Sequence, residues 1–140
     1  MKAKFSNSWN SSKQPRKQRK YVYNAPLHIK GKFVSSHVSP ELRKKYVIRS
    51  FRLRTGDKVK VMRGQYKGKE EKVIEVNLKK QTIYLEKITI TRVDGNTARI
   101  PFKPSNLMIV EFNMSDKKRK TKIESKTKKI QGVKKWLNHT

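Results

Sequence analysis

The chain has 140 residues, of which 37 are Lys or Arg and 10 are Asp or Glu, for a formal net charge of +27. Self-repulsion on that scale opposes compaction unless a dense polyanion neutralises it, so RNA or DNA is the expected partner. The absence of cysteine excludes a disulfide framework, a thiolate zinc site and a thiol nucleophile.

A hydrophobic content of 34% supports one small domain with extensions. No apolar run approaches the ~18 residues of a membrane span, and no lipidation signature is present, so a membrane is not an expected partner. The N-terminus also lacks the apolar stretch of a secretory signal. Residues 1–52 hold 14 basic and 1 acidic side chains, residues 53–112 hold 13 and 7, and residues 113–140 hold 10 and 2. The middle is therefore expected to be the globular part.

The N-terminal extension, 1–52, reads as a basic arm. Arg16, Lys17, Arg19, Lys20, Lys30, Lys32, Arg49, Arg52 and Arg54 are expected to follow the phosphates of a folded RNA in an extended conformation, ordering on binding. The alternatives are a solvated tail or a nuclear import signal at "PRKQRK", and one arm can serve as both. Within it, Ser39-Pro40-Glu41 supplies an N-cap, a proline at the first helical position and an acid in the first turn. That order predicts a short helix near 40–46 with Arg43, Lys44 and Lys45 spread around it.

Residues 53–112 read as β structure. In "DKVKVMR", Val59 and Val61 alternate with Lys58 and Lys60, the period of two of a half-buried strand. "KVIEVNL" is expected to place Ile74, Val76 and Leu78 on one face. "QTIYLEKITITRV" is rich in β-branched and aromatic residues, but Ile83 and Leu85 are out of phase with Ile88 and Ile90. A bulge near Glu86 and Lys87 would return both pairs to one core. The turn at Asp94-Gly95-Asn96, a short strand "ARIPF" and a last strand "NLMIVEF" complete five segments, which fit a small, strongly bent antiparallel barrel.

Between the first two strands lies "RGQYKGKEEKV". Gly64 and Gly68 permit a tight loop, and Arg63, Tyr66, Lys67 and Lys69 project from it as phosphate-binding candidates. For the glycines alone, plain turn chemistry is the favoured reading, and the surrounding residues shift it. Tyr66 is suited either to stacking on an unpaired base or to covering the end of the barrel.

The tail, 113–140, places Ile123, Ile130, Val133 and Leu137 at loosely helical spacing, interrupted by Gly132. A basic helix on RNA, with Lys117, Lys118, Arg119 and Lys120 toward phosphates and Trp136 against a protein neighbour or a base, competes with a frayed tail. His28, His37 and His139 lack the spacing of a metal site. Neighbouring residues of a strand point to opposite faces, so Glu70-Glu71 is a solvated pair and not an acid/base couple. No catalytic constellation, metal site or cofactor motif emerges.

"GDKVKVMRGQYKGKEEKVIEV" resembles the KOW motif of ribosomal proteins and of transcription elongation factors, through Gly56-Asp57, Val59, Val61, Gly64, Lys67 and Gly68. It departs from that motif at Glu70-Glu71, where the family often carries a further glycine. The preceding "NAPLHIKGKFVSSHVSPELRKKYVIRSFRLRTGD" and the later "PSNLMI" resemble the eukaryotic large-subunit ribosomal protein family numbered twenty-four in the universal scheme and twenty-six in the older eukaryotic one. The resemblance covers about Tyr21 to Phe112. It implies a Src-homology-3-like barrel bound to the 5′ region of large-subunit rRNA near the polypeptide tunnel exit, joining early in subunit assembly.

The expectation is a structural rRNA-binding protein of the cytosolic large ribosomal subunit, not an enzyme. Its partners would be large-subunit rRNA and neighbouring ribosomal proteins, without a membrane, a small-molecule substrate or homo-oligomerisation. Transit through the nucleus and nucleolus for assembly is part of this reading. An elongation-factor module is the rival class, though it would predict a companion domain for which the chain has little room. A mitochondrial ribosomal protein is the rival in location, weakened because the resemblance begins too early for a removable presequence.

Overall fold

The computed structural model describes the backbone of residues 3–137 and the side chains of residues 3–128. Five strands occupy the expected middle: β3 (Lys58–Val61), β4 (Glu70–Asn77), β5 (Thr82–Thr91), β6 (Thr97–Phe102) and β7 (Leu107–Glu111). Two further strands come from the arm, β1 (Ser35–Val38) and β2 (Ser50–Arg52). Together they make one seven-stranded sheet in the order β2-β1-β7-β3-β4-β5-β6. Neighbours are antiparallel except β1 and β7, where His37 lies opposite Met108 and Val38 opposite Ile109.

Laid flat, seven strands would span about 29 Å, too wide for one face to form a single core. Here one buried cluster takes side chains from every strand, including Val38, Phe51, Val59, Val73, Leu85, Phe102 and Ile109. The sheet therefore curls on itself, giving the expected mostly-β, barrel-like fold.

Bulges produce the curl and also correct two sequence expectations. Val73 pairs with Leu85 and Glu75 with Tyr84, so Ile74 is an extra residue on β4. Val73 is buried and Ile74 is exposed, so Ile74 does not share a face with Val76 and Leu78 as the alternation implied. On β5 the register against β6 jumps between Tyr84 and Thr89, bracketing the expected bend at Glu86 and Lys87. The bend buries both Leu85 and Ile88, but Ile90 lies beyond it on the outer face and is exposed.

The arm is not extended. It folds as α1 (Pro15–Asn24), α2 (Leu27–Phe33) and α3 (Pro40–Tyr46), preceded by a 3-10 turn at Asn7–Ser11. Pro15 starts α1 at a position where its missing N–H is harmless, and Pro26 ends it by disfavouring helical backbone at Ala25. Tyr21, Ala25 and Ile29 are buried in a satellite core with Phe5, Val22 and Phe33 against them. The Tyr21 ring packs 5.0 Å from Phe5 and 5.9 Å from Phe33.

The expected helix α3 is present with its expected cap, the Ser39 hydroxyl accepting a hydrogen bond from the Leu42 N–H. The tail is helical as α4 (Lys117–Leu137). The expected roles of Ile130, Val133, Trp136 and Leu137 concern side chains outside the described set, and His139 lies outside the described backbone.

Candidate nucleic-acid interface

The loop between β3 and β4 is closed at its neck by two backbone hydrogen bonds, Gly68 N–H to Val61 O (2.8 Å) and Val61 N–H to Lys69 O (2.9 Å). Inside it Lys67 N–H reaches Gly64 O at 3.1 Å. Gly64 and Gly68 have φ of 91° and 90°, a region disfavoured for residues with a Cβ. A Cβ on either would meet nothing within 4 Å, so both glycines serve backbone conformation and not close approach.

Arg63, Lys67 and Lys69 are exposed around this loop. Tyr66 is half-buried, with its ring edge-on to Phe102 at 6.2 Å and Lys69 Nζ 5.3 Å from its centroid. It caps the barrel, the second of its two expected roles. At the start of β4, Glu70 lies 3.2 Å from Lys60 and 3.5 Å from Lys58. The hydrogen bond from Lys60 holds the Glu70 carboxyl below its usual range. The acidic residue that departs from the common motif thus bridges two strand lysines.

Two stretches that carried the resemblance meet in space. Ser36 is buried, and its hydroxyl donates to the carbonyl of Pro104 in a 3-10 turn at Pro104–Asn106. Asn106 O in turn accepts from Met62 N–H at 2.8 Å, tying the loop's first residue to β1 through that turn.

The other basic candidates fall on separate elements. Arg16, Lys17, Arg19 and Lys20 are exposed on α1, and Lys32 is exposed on α2. Lys30 is half-buried and donates to the Tyr23 carbonyl at 2.9 Å. Arg43, Lys44 and Lys45 are exposed in the last turn of α3, where they complement the negative end of the helix dipole. Arg49 and Arg52 are exposed, the Arg52 guanidinium lying against Gly31. Arg54 is half-exposed and pairs with Asp116, whose carboxyl it holds below the usual range by hydrogen bonding.

Lys117, Lys118 and Lys120 are exposed at the start of α4, but Arg119 is not a phosphate contact. Its side chain is 3% exposed and forks onto the fully buried Asp57, Nη1 to Oδ1 at 2.6 Å and Nη2 to Oδ2 at 2.7 Å. Asp57 also accepts the backbone N–H groups of Arg54 and Asn113, each at 2.9 Å. The guanidinium sits 5.6 Å from both the Phe51 and Phe112 ring centroids. One and two turns later, Ile123 is fully buried and the Thr127 hydroxyl reaches the Tyr46 carbonyl at 2.8 Å. Arg119, Ile123 and Thr127, four residues apart, dock α4 on the barrel. That spacing was the available signal, hidden inside "KKRK".

Sequence reasoning also passed over Lys79 and Lys80 in the β4–β5 turn and Lys103 after β6, all exposed. Among the described residues no group of three or more His, Asp or Glu side chains could hold a metal ion. None of the described helices is long and apolar enough to cross a membrane.

A bent barrel with a glycine loop and cations on three sets of helices defines a small basic barrel protein of the KOW class. Over residues 12–126 the chain matches the family that unites the eukaryotic L26 and the archaeal L24 ribosomal proteins, and it belongs to that family. It is similar to the large ribosomal subunit protein uL24 of Korarchaeum cryptofilum (strain OPF8), with 43% identity over 122 residues, 87% of this chain and 93% of that relative. The chain is thus a protein of the large ribosomal subunit, on the ribosomal branch of the KOW resemblance and not the elongation-factor branch.

Proposed function

We propose that this protein binds and organises large-subunit rRNA near the polypeptide tunnel exit and supports assembly of the subunit. The observation that carries the reading is the exposure of cations on three separate, ordered elements: α1, the β3–β4 loop and the first turn of α4. The satellite core orders the arm that carries the first, paired backbone closes the neck of the second, and the Asp57–Arg119 fork docks the third on the barrel.

Phosphate contacts from these groups position the protein between rRNA helices, while RNA shape and unpaired bases supply specificity, because side chains cannot read the deep A-form major groove. The partners in this reading are large-subunit rRNA and the adjoining ribosomal proteins. The location is the cytosolic ribosome, reached through the nucleus and nucleolus with "PRKQRK" as the import signal.

The test is filter binding of the full chain to a transcript of the 5′ region of large-subunit rRNA across a salt series. With six or more phosphates neutralised, log K is expected to fall against log salt with a slope of about −5 or steeper. Replacing Arg63, Lys67 and Lys69 by alanine together should make that slope shallower by about 2 to 3. A wild-type slope near zero would contradict the reading.

A further inference from the structure

An open groove runs between the arm helices and the β4–β5 turn. Its cations are Arg19, Lys30, Lys79, Lys80 and Lys103, and no acidic residue lines it. On its wall Tyr23 is 82% exposed and Leu27 beside it is 53% exposed. An aromatic face among cations is the pattern that holds an unstacked base between phosphates.

Gln81, also on the groove wall, adds an independent observation. It closes the turn between β4 and β5 with φ of 53°, and its amide Nε2 is shielded from water without a hydrogen-bond partner among the described residues. A shielded donor without an acceptor is unfavourable. A side-chain rotation would aim that donor at a base carbonyl or a phosphate oxygen in the groove.

We propose that this groove holds a single-stranded segment of rRNA, with one base stacked on Tyr23 and the flanking phosphates on Lys79, Lys80 and Lys103. The proposal rests on the rRNA-binding reading and deepens it, separating a site for unpaired nucleotides from the helix-facing cations. It also moves the stacking role from Tyr66, whose ring covers the barrel, to a tyrosine that the charge pattern gave no reason to select.

The experiment is fluorescence anisotropy of the full chain with a labelled twelve-nucleotide single-stranded RNA of mixed sequence and with a duplex of the same length. Tyr23 is exposed, so Tyr23→Ala leaves the fold intact, which circular dichroism checks. Stacking on one base is worth about 1–3 kcal/mol, so Tyr23→Ala should weaken single-strand binding about fivefold or more. Duplex affinity and the salt slope should stay unchanged, and Tyr23→Phe should retain wild-type affinity. Lys79→Ala with Lys80→Ala should instead make the single-strand salt slope shallower by about 1.4.

Equal affinity of Tyr23→Ala and wild type for the single strand, or equal losses on both RNAs, would overturn the groove as a site for unpaired nucleotides. Failure of the wild type to bind either RNA in a salt-dependent way would instead refute the underlying rRNA reading, so the two failures are distinguishable.

Discussion

Removing the guanidinium of Arg119 is the sharpest perturbation of this fold. Arg119→Met keeps most of the stem and its contacts with Phe51 and Phe112, but leaves Asp57, which is 0% exposed, with only two backbone N–H donors. Breaking a buried ion pair from one side costs about 3–5 kcal/mol, because the remaining charge stays desolvated. At roughly 4 °C per kcal/mol for a chain of this size, Tm should fall by about 12–20 °C. Asp57→Asn should also be destabilising, since it leaves the guanidinium with the carbonyls of Asn113 and Arg52, at 3.2 and 3.4 Å, and a neutral amide. The assay is thermal unfolding of the full chain by circular dichroism, in enough salt to screen repulsion among its excess cations. The double variant should be less destabilised than the sum of the singles, with a coupling of about 2–3 kcal/mol. A fall below about 4 °C for Arg119→Met, or additivity of the two changes, would refute the docking role assigned to this pair.

Two further outcomes follow from the geometry. Gly68→Ala should destabilise the protein by about 1–2 kcal/mol because of its φ of 90°, even though the added methyl meets nothing, and a neutral result would show that the loop relaxes freely. The depressed carboxyls of Asp116 and Glu70 contribute stability that is present above their unfolded-state pKa and is lost as pH falls through their lower folded values. Melting curves from neutral pH down through the carboxylate range should therefore show less acid loss for Asp116→Asn than for wild type, and parallel curves would contradict this.

The middle strands were legible because alternation reports burial directly: Val59 and Val61 point inward as their spacing implies. The exceptions, Ile74 and Ile90, lie where bulges shift the face: the second is marked by the phase change at Glu86 and Lys87 and by Pro101 opposite Tyr84, whereas nothing local marks the first. Strands β1 and β2 are four and three residues long, and β1 pairs with β7 about seventy residues away, so no local pattern could disclose them. The arm helices were obscured by charge, although Tyr21, Ala25, Ile29 and Phe33 recur every four residues around the buried stripe. For the candidate site, the loop, α1 and α3 cations are exposed, on a helical arm and not the extended one the composition suggested. Arg119 shows where composition misleads: within a basic run its role depends on Asp57, 62 residues distant.

Residence of the protein in the large subunit is tested most directly by sedimenting cell extract through a sucrose gradient, following the protein with an antibody and large-subunit rRNA in the same fractions. Co-migration with large subunits and polysomes that survives a high-salt wash is the predicted result, because many phosphate contacts spread over several elements must all release together. Recovery at the top of the gradient, or with RNA polymerase and not with rRNA, would contradict it.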